Sequence, residues 1–116
     1  MYNFEKLKVW QEAMKLAEII YTLIAKLPPE EKFALANQLK RAVTSVSLNI
    51  AEGSGSKSRK VFASHIEIAI KSLYETVTIL KLIERLFKIN CAKELDQCDL
   101  VNKLSHGLLK SIKSDN

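Results

Sequence analysis

The segment from Ala36 to Glu52 constrains the fold most, because its polar and apolar residues both recur at α-helical spacing. The polar row comprises Gln38, Arg41, Ser45, Asn49 and Glu52. The apolar row, on roughly the opposite side, comprises Ala36, Leu39, Val43, Val46 and Ile50. The pattern predicts an amphipathic helix with one side in a core. Neutral hydrogen-bonding groups stand in the polar row where a solvated face normally carries Lys and Glu, so we expect this row to form specific bonds.

Helical periodicity covers the rest of the chain as well and predicts four helices, at about 4–27, 30–52, 58–89 and 92–112. Pro28 and Pro29 end the first helix, and the run from Gly53 to Ser56 ends the second. The fourth is the least regular and contains Gly107, at a cost of about 1 kcal/mol relative to Ala. Because the links are short, we expect an all-α, antiparallel up-down-up-down four-helix bundle. The long third helix, about 45 Å for about 30 residues, predicts an elongated shape.

Length and composition fit one helical domain over residues 1–116. Hydrophobic residues make up 47% of the chain and charged residues 27%, which argues against disorder. Three Gly, two Pro and little β-branched alternation leave no material for a sheet. The formal net charge of +5 weakly favours polyanionic partners. The chain shows neither a secretory signal nor a membrane-spanning run, so we expect a cytoplasmic protein without membrane contact.

Helices one and three carry more apolar surface than a small bundle needs. In helix one, a first row comprises Leu7, Trp10, Met14, Ala17, Tyr21 and Ile24. A second row comprises Val9, Ala13, Leu16, Ile20, Leu23 and Leu27. In helix three, Ile68, Leu82, Leu86 and Ile89 lie beside the main apolar row. The excess either widens the core of one bundle or packs on copies of the chain, and we favour self-association.

Several short motifs resemble those of one known family. They are L-K-V-W-Q in helix one, L-P-P-E-E at the first turn, Q-L-K-R-A-V-T-S-V in helix two and N-I-A-E-G at the second turn. Together they resemble the 23S rRNA-intervening sequence proteins. The resemblance implies a left-handed antiparallel four-helix bundle that assembles as a homopentameric ring. It extends to accessory proteins of diversity-generating retroelements, which are basic, bind nucleic acid and are partners of a reverse transcriptase.

The first candidate site is the basic turn into helix three, with Lys57, Arg59 and Lys60. Each cation at the start of a helix destabilises that helix by about 0.3–1 kcal/mol, because it is repelled by the positive end of the helix dipole. Stability therefore does not explain the placement of these residues. Cations, flexible Gly and Ser, and free backbone N–H groups suit a phosphate; the alternative is an ordinary solvated basic turn. A ring would repeat the turn around an axis. We therefore favour binding of RNA or DNA with little sequence preference, with Lys40 and Arg41 as lesser contacts.

The polar row of helix two is the second candidate site. It is either a ligand-binding surface or a hydrogen-bonded network, around Arg41, Asn49 and Glu52, that fixes helix packing or subunit registry. We favour the network. Trp10 is either an anchor for a partner protein or, as we prefer, a residue of the core or of the ring interface.

Catalysis has little support in this sequence. His65 and His106 have no matched carboxylate or cysteine at metal-ligand spacing, and we expect Cys91 and Cys98 to be buried thiols. The chain contains no P-loop, dinucleotide fingerprint or nucleophile elbow. We expect no enzyme activity, no cofactor and no metal. The alternative function is a protein scaffold or adaptor, for example of a reverse transcriptase, that does not bind nucleic acid directly.

Overall fold

Four α-helices follow one another with short links, and the prediction of an all-α fold is confirmed. The structure is a computed structural model that describes residues 1–31 and 34–114. The helices are α1 (Lys8–Ile24), α2 (Leu35–Ser54), α3 (Arg59–Phe87) and α4 (Ala92–Ser114). Short 3-10 turns at Asn3–Lys6 and Pro29–Glu31 precede α1 and α2, and the described ranges contain no strand.

The first helix is shorter than its periodicity predicts, for a local reason at each end. Leu7 is extended, with φ −74° and ψ 125°, so α1 begins at Lys8 and the residues before it form a separate turn. At the other end, Leu27 precedes Pro28, and a residue before proline is driven out of the α region. The helix therefore ends at Ile24, three residues before the predicted end.

The other helix ends also follow from local chemistry. The predicted second helix starts near 30, but a 3-10 turn occupies 29–31, and residues 32–33 lie outside the described part of the chain. Ser58 caps α3, since its side-chain oxygen accepts a hydrogen bond from the Val61 N–H at 3.2 Å. Lys88 ends α3 in the left-handed conformation, with φ 58° and ψ 32°. Such a residue closes a helix by bonding back to it, and the Lys88 N–H donates to the Glu84 carbonyl.

The helices form an antiparallel bundle in which each packs on two neighbours. The pairs are α1 with α2, α2 with α3, α3 with α4 and α4 with α1. Asn49 bonds to His65 and Arg59 bonds to Ile112, so the end of α2 and the end of α4 both adjoin the start of α3. The bundle measures 48 × 22 × 20 Å, and α3, about 44 Å long by its helical rise, runs nearly its whole length.

One hydrophobic core lies between the four helices. The predicted apolar row of α2 is fully buried, with all five side chains at 0% exposure. Of the two rows on α1, the one that begins with Val9 is buried, whereas Met14 and Tyr21 of the other row are 39% and 45% exposed. On α3, Ile68 and Leu82 are similarly exposed. A single bundle therefore leaves the excess apolar surface of α1 and α3 facing outward.

Candidate functional site

The basic turn between α2 and α3 is held in shape by serine side chains. Ser56 accepts a hydrogen bond on its Oγ from the Ser58 N–H at 3.1 Å, and the Ser58 cap fixes the first turn of α3. The side chains of Lys57, Arg59 and Lys60 are all exposed around this turn. The predicted cations therefore lie together at one corner of the bundle.

Arg59 has a structural partner that the sequence did not reveal. Its guanidinium Nη1 donates to the carbonyl oxygen of Ile112 at 3.2 Å, near the end of α4. Carbonyls in the last turn of a helix lack helical partners, and the dipole makes that end negative. Our expectation that stability does not explain the basic residues is therefore wrong for Arg59, which bonds to the end of the antiparallel neighbour.

An open groove lies beside the turn, between the start of α3 and the end of α4. Its volume is about 420 Å³. It is lined by Arg59, Lys60, Ala63, Ser64, Glu67, Ile112 and Lys113. We call Lys57, Arg59, Lys60 and Lys113 the basic corner. Sequence reasoning missed Lys113, although antiparallel packing of the last two helices places the end of α4 beside the start of α3.

Lys40 and Arg41 lie away from the basic corner. Lys40 precedes the end of α2 at Ser54 by about 20 Å of helical rise. Its Nζ lies 5.5 Å from the centroid of the Tyr21 ring, a cation–π distance. Arg41 is exposed. Within one chain the structure does not bring these two residues to the predicted phosphate contact.

Polar side chains join α2 to α3 through what we call the polar seam. Asn49 Nδ2 donates to the carbonyl and Oγ of Ser45 at 2.9 and 3.0 Å, and Ser72 Oγ donates to Ser45 Oγ at 2.9 Å. Asn49 Oδ1 lies 3.1 Å from Nδ1 of His65. Because that amide oxygen only accepts, a hydrogen bond at this contact requires the tautomer of His65 with the proton on Nδ1. Two residues of the predicted polar row thus bond between helices.

The remaining residues of the polar row divide in two. Gln38 Nε2 donates to Glu75 Oε2 on α3 at 3.3 Å. Arg41 and Glu52 are exposed, and neither side chain has a hydrogen bond or ion pair within the described ranges. At 100° per residue they lie about 60–80° around the helix from Asn49, on the solvent side. The prediction that they bond with Asn49 is wrong within one chain, and a role in assembly stays a prediction.

The N-I-A-E-G motif positions the end of α2 against α3. Ile50 is fully buried, and Asn49 belongs to the polar seam. Gly53 lies inside α2, where a Cβ atom would stand 2.5 Å from the Cβ of His65 and 3.1 Å from Cδ1 of Phe62. The glycine therefore serves close helix packing rather than the turn to which the sequence assigned it.

Glu12 is a buried carboxylate that sequence reasoning did not single out. It is 4% exposed, and Gln97 on α4 donates to its Oε1 at 3.0 Å. Lys8 and Lys15 lie 3.2 and 3.3 Å from its Oε2. The Gln97 hydrogen bond and the two lysines outweigh burial and lower the pKa of Glu12 from 4.5 to about 2. Lys8 stands four residues before Glu12 and Lys15 three residues after it, and this spacing is the sequence signal for an ion-paired Glu12.

The remaining reactive side chains are inert or scattered. Cys91 and Cys98 are buried, as predicted. Burial raises the pKa of Cys91 to about 11 and that of Cys98 to about 12, so both thiols stay protonated at neutral pH. Across residues 1–31 and 34–114, His, Cys, Asp and Glu nowhere form a cluster of three that would hold a metal ion. In the same ranges, no helix has the length and hydropathy to cross a membrane.

Comparison with known proteins gives the family. None of the curated proteins matches the chain. A crystal structure of a protein of unknown function from the S23 ribosomal protein family of Bacteroides thetaiotaomicron is similar, with a TM-score of 0.78 and 29% sequence identity. The similarity covers 88% of this chain and 95% of that one. The family model described as 23S rRNA-intervening sequence protein matches residues 5–110. The chain therefore belongs to the 23S rRNA-intervening sequence protein family.

Proposed function

We propose that this protein binds RNA or DNA through its phosphates at the basic corner. The observation that carries the proposal is that Arg59, Lys60 and Lys113 line one open groove, with Lys57 in the adjoining turn. Glu67 is the only acidic residue among those that line the groove. Lys57 and Lys60 have no ion-pair partner in the described part of the chain. Their ammonium groups therefore remain available to a polyanion.

The expected binding is directed at the backbone of the nucleic acid. Lysine ammonium groups act as point charges on phosphates, whereas sequence readout requires side chains that match the edges of bases. Binding should therefore show little sequence preference and fall steeply with salt, because each phosphate contact releases counterions.

The exposed apolar surface supports self-association, which would repeat the basic corner. Val61, Ile68 and Leu82 are exposed at 41–45% and are spaced by multiples of seven residues on one face of α3. Leu48, 56% exposed, follows Ser45 by three residues on α2, so Leu48 and Ile68 flank the polar seam. A homopentamer is the assembly expected from the family resemblance. A symmetric assembly would repeat the basic corner around its axis and so strengthen the positive electrostatic potential that attracts a polyanion.

Nucleic-acid binding is tested by fluorescence anisotropy at low and moderate salt. We expect the Lys57→Ala/Lys60→Ala variant to bind more weakly. A plot of the logarithm of its association constant against the logarithm of salt concentration should also be less steep, by about 0.7–0.9 for each phosphate that a lysine no longer neutralises. A variant with Lys26→Ala and Lys81→Ala removes the same charge from exposed lysines at the opposite end and should bind like the wild type. Equal weakening in both variants, or no wild-type binding at low salt, would refute the proposal.

Self-association is tested by light scattering on the eluting protein. Leu48→Lys and Ile68→Lys place charges on the exposed face without touching the core, and each should lower the mass of the assembly. Arg41→Ala should disturb the assembly before it disturbs nucleic-acid binding. A monomeric wild type at micromolar concentration would remove the proposed oligomer, and an intact Arg41→Ala assembly without binding would make Arg41 a ligand contact.

A further inference from the structure

Three aromatic rings form a short stack at the start of α1. The Tyr2 and Phe4 rings are nearly parallel, 5° apart in plane, with centroids 5.6 Å apart. Phe4 meets Trp10 edge to face at 5.2 Å, and Trp10 is partly buried against the core. Tyr2 is 73% exposed. The stack thus has an anchored inner end at Trp10 and an open outer ring at Tyr2.

Hydrogen bonds hold in place the backbone of Tyr2, the residue that carries the outer ring. The Tyr2 N–H donates to Glu5 Oε2 at 2.7 Å, and the Glu5 N–H donates to the Tyr2 carbonyl at 3.1 Å. Gln11 Nε2 in α1 donates to the Glu5 carbonyl at 2.9 Å and ties the turn to the helix. An aromatic side chain on a backbone that is already fixed loses little conformational freedom when a ligand stacks on it.

The stack lies at the same end of the bundle as the basic corner. The turn that carries it contacts α1 and α2, and the start of α1 adjoins the end of α2 in the antiparallel bundle. The end of α2 leads directly to Lys57. The bundle is only 22 × 20 Å across. A strand of about 16 nucleotides, at about 3.4 Å per stacked nucleotide, is therefore long enough to reach both features.

An exposed aromatic face and nearby lysines match the chemistry of an unpaired nucleotide. A base presents its π-face only when it is outside a duplex, and base stacking on aromatic side chains tolerates any sequence. We propose that Tyr2 and Phe4 form a stacking platform for an unpaired base, so that the basic corner prefers single-stranded RNA or DNA. This inference rests on the proposed nucleic-acid binding.

The test compares oligo(dT) and oligo(U) of about 16 nucleotides with the oligo(dT)·oligo(dA) duplex of equal length. We expect Tyr2→Ala to weaken single-strand binding by roughly 5- to 150-fold and to leave duplex binding unchanged. Tyr2→Phe should restore the wild-type affinity. Tyr74→Ala is the matched control, since Tyr74 is 51% exposed on α3 and bonds to His106 away from the platform.

Trp10 is the only tryptophan in the chain and reports on the platform directly. Its fluorescence should change when the single strand binds to the wild type and change less in Tyr2→Ala. If the wild type binds both single strand and duplex, and Tyr2→Ala alters neither, the platform is refuted while phosphate binding stands. If nothing binds at low salt, both proposals fail. A change in assembly mass in Tyr2→Ala would make the ring a subunit contact instead.

Discussion

Gly53→Ala should destabilise the protein although alanine is the better helix former. The new Cβ would lie 2.5 Å from the Cβ of His65, where carbon atoms prefer about 3.5–4.0 Å. Both atoms are fixed to their backbones, so no rotamer relieves the contact, and α2 must move from α3 by about 1 Å. Overpacking of this kind costs about 1–3 kcal/mol, against about 0.5–1 kcal/mol gained from replacing a helical glycine. Taking the middle of each range, the expected net destabilisation is about 1 kcal/mol.

Gly107 provides the matched control for the same substitution. It also lies inside a helix, is exposed, and has nothing within 4 Å of a Cβ position. Gly107→Ala should therefore stabilise the protein by about 0.5–1 kcal/mol. The two substitutions are chemically identical and differ only in whether another helix lies against the glycine.

Urea denaturation followed by far-UV circular dichroism measures both free energies of unfolding, at two protein concentrations to account for any assembly. On heating, we expect shifts of about 4 °C per kcal/mol, downward for Gly53→Ala and upward for Gly107→Ala. A Gly53→Ala variant as stable as the wild type would show that α2 and α3 do not approach as closely as the structure has them.

Three further predictions concern single groups. The hydrogen bond from Gln97, together with Lys8 and Lys15, lowers the pKa of Glu12. The ionised Glu12 side chain therefore stabilises the fold above pH 4.5, and this stabilisation disappears as the pH falls to about 2. In the Glu12→Gln variant, the urea midpoint should depend less on pH in that range. Arg59→Ala should speed hydrogen exchange in the last turn of α4. With pKa values raised to about 11 and 12, Cys91 and Cys98 should react with a thiol reagent only after denaturation.

The number, order and buried faces of the helices were predictable because burial repeats with the helical period. The row from Ala36 to Ile50 shows this, since every member predicted to be in the core is there. Helix one shows the limit. Two adjoining apolar rows fit the same period, and only the rotation of α1 against its neighbours decides that Leu16 is buried and Met14 exposed.

The candidate site was predictable only as far as it is local in sequence. Lys57, Arg59 and Lys60 are neighbours in the chain, so their gathering follows from the turn. The bond of Arg59 to Ile112 joins residues 53 positions apart and depends on how α3 and α4 meet. The pattern alone predicts a turn at Gly53, because sequence does not distinguish a glycine that ends a helix from one that lets another helix approach.

The polar seam has a consequence for which packings the bundle excludes. If α2 slid along α3 by one helical turn, about 5.4 Å, apolar side chains would still face apolar side chains at nearly every level. Such a slip would, however, separate Ser45 from Ser72 and Asn49 from His65, and would move Gly53 away from the one place where it is needed. Polar groups left without partners cost about 1–3 kcal/mol each when fully buried, and less for the partly buried groups of the polar seam. We therefore expect these few contacts, more than the core, to set the energy gap between the native alignment and its slipped competitors.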